Sequence, residues 1–141
     1  MKEPIITFRD KQELIKSTEE WKHRLFLDSW IISVGFHEED EYPDENGHVN
    51  FSMENKTATV TILSTNKDDR IFKKCDELIL VHELLHLKIG YISAPEGLEG
   101  THFDLHEHAL IYELSKSLIM AKYGIGLNWF INTESCVGEP C

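Results

Sequence analysis

At 141 residues, 41% of them hydrophobic, the chain is long enough to bury one sizeable core and reads as a single soluble domain. A formal charge of −11 sets it against a nucleic-acid backbone as partner. No apolar run approaches the ~20 residues of a membrane helix, and Met1-Lys2-Glu3-Pro4 does not open a signal peptide, so cytoplasmic residence without a membrane partner is expected.

The first predicted element is a helix over 10–24. Asp10 caps it, Glu13 stands three residues on as capping-box partner, and Leu14, Trp21 and Leu25 share one stripe. Residues 29–36, rich in β-branched and aromatic side chains, suit a strand. The acidic stretch 37–47 that follows, with Pro43 and Asn46-Gly47, reads as a solvated connection rather than a binding site. Residues 49–53 and 58–63 alternate apolar and polar across the turn Glu54-Asn55-Lys56, as a hairpin does. The expected sheet therefore has three strands and is mainly antiparallel.

After a polar break at 66–70 comes Val81-His82-Glu83-Leu84-Leu85-His86-Leu87, inside a run from Asp76 to Ile89 with no Gly or Pro. On a helix, residues four apart stack on one face, so His82 and His86 can offer two imidazole nitrogens to one metal ion. Glu83 lies beside that face, within reach of a metal-bound water. Burying these polar groups unpaired would cost several kcal/mol, and a metal is a partner that removes this cost. Gly90 is expected to close the helix in the left-handed conformation.

A further helix is predicted over 103–123, ending at Gly124, with Glu107, Ile111, Leu114, Leu118 and Ala121 as its core stripe. A zinc site needs a third protein ligand, and His102, Asp104, His106, Glu107, His108 and Glu113 are the candidates. Helical phase favours Glu107, because an acid on a core stripe needs a buried partner. Domain boundaries at 1–126 and a C-terminal tail at 127–141 follow, the tail either packing back or fraying. The three cysteines form no C-x-x-C pair; Cys75 reads as core, and Cys136 and Cys141 as tail residues able to pair only in an oxidising setting. The tail is also long enough to cover a cleft as an inhibitory segment.

With His-Glu-Leu-Leu-His on one helix, a Glu-bearing helix after it and a small sheet before it, the chain resembles a minimal gluzincin-type zinc metallopeptidase. Over about 77–123 it is similar, loosely, to the ImmA/IrrE-type peptidases of phage and bacteria, although it lacks their Asn-x-Phe-Ala. The absence of a third His in an H-E-x-x-H-x-x-G-x-x-H arrangement excludes a metzincin. The resemblance implies an α+β, zincin-like fold and a Zn²⁺ cofactor on His82, His86 and Glu107. It also implies Glu83 as catalytic general base, Tyr112, Tyr91 or His108 as helpers at the oxyanion, and a peptide or protein substrate laid along an edge strand within 49–63. The other expectation is a regulatory or interaction protein that keeps a structural zinc; a purely structural site has no need of Glu83.

Overall fold

The computed structural model describes residues 2–64, 75–90 and 102–131, with the side chains of 102–105 excepted. The fold is α+β: three long helices, α1 (Lys11–Arg24), α2 (Asp76–Ile89) and α3 (His102–Tyr123), with three strands, β1 (Ile31–His37), β2 (Gly47–Ser52) and β3 (Thr57–Leu63).

Helix α1 begins where its capping residues put it. The Asp10 side chain accepts the Glu13 N–H at 2.9 Å, and Glu13 in turn accepts the Arg9 N–H at 3.0 Å, one residue earlier than a capping box requires. Leu14, Trp21 and Leu25 are buried, as their stripe predicts.

The sheet corrects one expectation. It is mixed, in the order β1-β3-β2, with β1 parallel to β3 and β2 antiparallel to β3. The β2–β3 hairpin is present, turning through Lys56 in the left-handed region (φ 53). β3 carries Ala58, Val60, Ile62 and Leu63, all buried, and so takes the central place with a neighbour on either side. β1 must then pair with its remaining edge, and chain direction makes that pairing parallel. Period-2 alternation reports which face a residue uses, not which strand it joins.

Within the hairpin, the Leu63 N–H donates to the Asn46 carbonyl at 2.8 Å, which sets the hydrogen-bonded pairs at 46/63, 48/61, 50/59 and 52/57. By alternation, the backbone groups of Gly47, Val49 and Phe51 turn away from β3 toward the open edge of β2.

Helix α2 lies against β2 and β3, with α3 packed on α2 and α1 on β1. β2 runs along α2 from one end to the other. A Cβ on Gly47 would stand 2.5 Å from Ile79 Cγ2, while one on Gly90 would meet Met53 and Phe51. Gly90 itself is right-handed (φ −55, ψ −27), not left-handed as expected, whereas Gly124 ends α3 with φ 65. The β2 side chains crowding Gly90 leave little room for a larger residue, so its role here is close approach.

The α3 stripe is also rotated from the expected one. Glu107, Ile111, Ser115 and Ile119 are buried four residues apart, while Leu114 and Ala121 are exposed. Cys75 is in the core, and its thiol is pushed up to about 12 by burial. Leu127–Phe130 forms a short 3-10 turn that places Phe130 in the core, so this part of the expected tail packs back. Cys136, Cys141 and Tyr91 lie outside the described residues, as does the stretch on which a covering tail would depend.

Candidate metal centre

Helix α2 owes its position to its first turn. The Asp76 and Glu77 N–H groups donate to the carbonyls of Ile6 and Ile5, and the Asp76 carboxylate accepts the Phe8 N–H at 3.1 Å. With this end anchored and Leu80, Val81, Leu84 and Leu87 buried, the rotation of the helix is set. His82, Glu83 and His86 then face a cleft of about 810 Å³.

In that cleft the ring centroids of His82 and His86 are 5.2 Å apart and nearly perpendicular. One donor atom each from His82, Glu83 and His86 falls within 4.8 Å of the other two, which among the described residues forms a metal-competent group. Burial, with His86 and His108 adding to it, pushes the His82 imidazole down to about 4. The ring is therefore neutral at physiological pH, the form that binds a metal.

Glu83 is 7% exposed, and its Oε2 has no hydrogen-bond partner among the described residues. Burial, and after it the Glu45 carboxylate, push the acid up to about 7. An orphaned buried carboxylate oxygen beside the neutral His82 imidazole and the His86 ring fits a cation and its water, either of which would remove the desolvation cost.

The α3 candidates separate by direction. His108 and Tyr112 line the cleft, one turn apart. The His108 ring is 5.6 Å from that of His86, and the Tyr112 ring is 4.6 Å from that of His82. His108 thus stands beside His86, but its donor atoms do not join the His82, Glu83 and His86 group, whose atoms lie within 4.8 Å of one another. Glu107, 8% exposed, is buried on the core side of the same turn and is not part of the cleft wall. His106 and Glu113 are exposed on other faces, and the side chains of His102 and Asp104 lie outside the described residues.

The opposite wall was not legible from the sequence. The acidic connection is exposed at Asp44 and Glu45, as a solvated stretch should be, yet its end, Asp44 to Gly47, lines the cleft with β2. Buried His37 holds it there: Nδ1 pairs with Thr61 Oγ1 at 2.8 Å, and Nε2 lies 3.1 Å from the Glu45 carbonyl, to which its N–H donates. A lone His ending a strand, just before an acidic run, was the only available signal.

No helix among the described residues is long and apolar enough to cross a membrane. No family model matches the chain, and no curated protein or solved structure matches it either.

Proposed function

We propose that the protein is a zincin-like, zinc-dependent peptidase that hydrolyses a peptide bond in the cleft between α2 and the open edge of β2. The observation that carries this reading is Glu83: buried, with Oε2 unpartnered among the described residues, next to the neutral His82 imidazole, in a cleft lined by β2. A structural metal site has no use for such a group, and its desolvation is a cost that only function offsets.

Nitrogens of His82 and His86 would hold the ion, as two donors one helical turn apart. The resemblance implies Glu107 as third donor; His108, which lines the cleft beside His86, is the alternative. Bound there, a zinc ion supplies a nucleophile at neutral pH and polarises a carbonyl. Glu83 accepts the proton on its open oxygen and passes it to the leaving amine. Tyr112 presents a phenol beside His82, where it can donate to the oxygen of the carbonyl under attack. Gly47, Val49 and Phe51 offer N–H and C=O groups in the register of an added strand, which is the support for a peptide substrate.

Metal content tests the reading together with turnover. Wild-type protein should hold about one zinc per chain, lost in His82→Ala. Of His108→Ala and Glu107→Ala, the one that loses about a hundredfold or more in affinity identifies the third ligand. Glu83→Gln should keep the metal and lose peptide hydrolysis by about 10²-fold or more. Full hydrolysis by Glu83→Gln, or no metal uptake by the wild type, overturns the proposal.

A further inference from the structure

The two walls of the cleft differ in charge. On the β2 side stand Asp44 and Glu45 at the head of the strand, and Glu83 lies beneath them. On the α3 side stands Lys116, which has a partner of its own. Asp44 takes a left-handed backbone conformation (φ 65) at the turn into β2, and Glu45 is locked by its carbonyl to His37 and by its carboxylate to His48 Nδ1 at 2.7 Å. His48 is in turn stacked on Tyr42, with ring centroids 3.8 Å apart. The acidic end of the loop is thus built into the wall.

It also sits close to the chemistry. A Cβ on Gly47 would come within 3.1 Å of Glu83 Cγ, so the first residue of β2 touches the stem of the buried carboxylate. Glu45 is two residues before Gly47, roughly 7 Å along an extended chain. A strand added to the open edge therefore passes Asp44 and Glu45 within one or two residues of the position facing Glu83. Glu83, 7% exposed, lines the same cleft, and its buried Oε2 has no hydrogen-bond partner among the described residues, which marks the cleft independently as a place where a ligand is received.

We infer that the cleft selects peptides carrying a lysine or arginine within two residues of the bond that faces Glu83, with Asp44 and Glu45 as the residues that read its charge. The inference rests on the peptidase reading above and adds its substrate class. A cation there meets two carboxylates at the exposed rim of the cleft, and an acidic side chain meets repulsion from the same pair.

The test is binding and cleavage of eight-residue alanine-based peptides by the zinc-loaded protein, with lysine, norleucine or glutamate at the central position. Fluorescence anisotropy gives affinity, and mass spectrometry of the same mixtures gives cleavage. The lysine peptide should bind about three- to tenfold more tightly than the norleucine peptide, and the glutamate peptide more weakly than either. The lysine preference should shrink between 50 and 500 mM salt. It should also fall to nearly one in Glu45→Gln and Asp44→Asn, two variants whose melting curves report separately on folding. Preferential binding without cleavage supports the inference and overturns the catalytic reading. Cleavage of all three peptides alike, or a preference unchanged in both variants, overturns the inference and leaves the peptidase standing. No binding of any peptide at millimolar concentration overturns both.

Discussion

Helix α2 buries two glutamates six residues apart, and they are opposites. Glu77 is fully buried and its acceptors are filled: Ile5 N–H at 2.9 Å, Trp21 Nε1–H at 2.8 Å, Lys122 Nζ at 2.9 Å, and Tyr123 Oη at 2.6 and 2.8 Å from its two oxygens. Those donors come from the N-terminal segment, α1 and α3, so one carboxylate ties three parts of the chain to the start of α2. Lys122, held also by Glu20 at 2.6 Å, brings the countercharge. Glu83 has a buried oxygen with no partner among the described residues, an acidic neighbour in Glu45 and a pKa raised to about 7. Both side chains cost desolvation energy. At Glu77 the protein itself returns it through hydrogen bonds; at Glu83 the return is left to whatever enters the cleft.

The largest effect should come from breaking the satisfied centre. Glu77→Ala takes one of two carboxylates from the Lys122 ammonium and leaves three other donors without their acceptor, and should cost about 3–5 kcal/mol in urea unfolding. Metal affinity would fall with it, since the rotation of α2 is set at that end. A loss under 1 kcal/mol would mean that Glu77 is no more structural than Glu83.

Glu83→Gln should act in the other direction on the metal-free chain, stabilising it by up to about 3 kcal/mol above pH 7. The sign follows from linkage. With its folded acid constant raised from 4.5 to about 7, Glu83 contributes stability that is fully present below pH 4.5 and lost as pH rises to about 7. His82, lowered from 6.5 to about 4, does the reverse: its contribution is complete above pH 6.5 and lost as pH falls to about 4. In the wild-type apoprotein the two slopes oppose each other between pH 4.5 and 6.5. Glu83→Gln should unmask the His82 slope, so that melting temperature falls with pH over this window more steeply than in the wild type. Parallel profiles would remove the contrast between the two glutamates.

The smallest effect tests the spacing of the walls. In Gly47→Ala the new methyl would lie 2.5 Å from Ile79 Cγ2 and 3.1 Å from Glu83 Cγ, so strand and helix must part slightly. About 1–3 kcal/mol of overpacking is expected, together with a measurable loss of peptide affinity in the zinc-loaded protein. Unchanged stability and affinity would show that β2 is not held against Glu83.

The i, i+4 spacing of His82 and His86, the capping of α1 by Asp10, the β2–β3 hairpin and the placing of α3 before Gly124 were all legible in the sequence. Each is a local matter: a helical turn, a side chain reaching its own backbone three residues on, an alternating pair around a short turn, a left-handed glycine. The α3 stripe was misjudged because spacings of three and four fit several rotations of one helix. Only packing on α2 chose the row Glu107, Ile111, Ser115 and Ile119, and with it turned His108 and Tyr112 to the cleft.

The sequence by itself determined the chemistry on offer, two imidazoles and a carboxylate on one apolar helix, because helical periodicity needs no knowledge of the rest of the chain. Tertiary structure decided what surrounds them: the parallel pairing that frees the edge of β2, the acidic turn that His37 pins at the mouth, and which of two buried glutamates goes unpaired. Apart from the His37–Glu45 contact, these depend on partners between 24 and 72 residues away in the chain, and no local pattern encodes a partner at that distance.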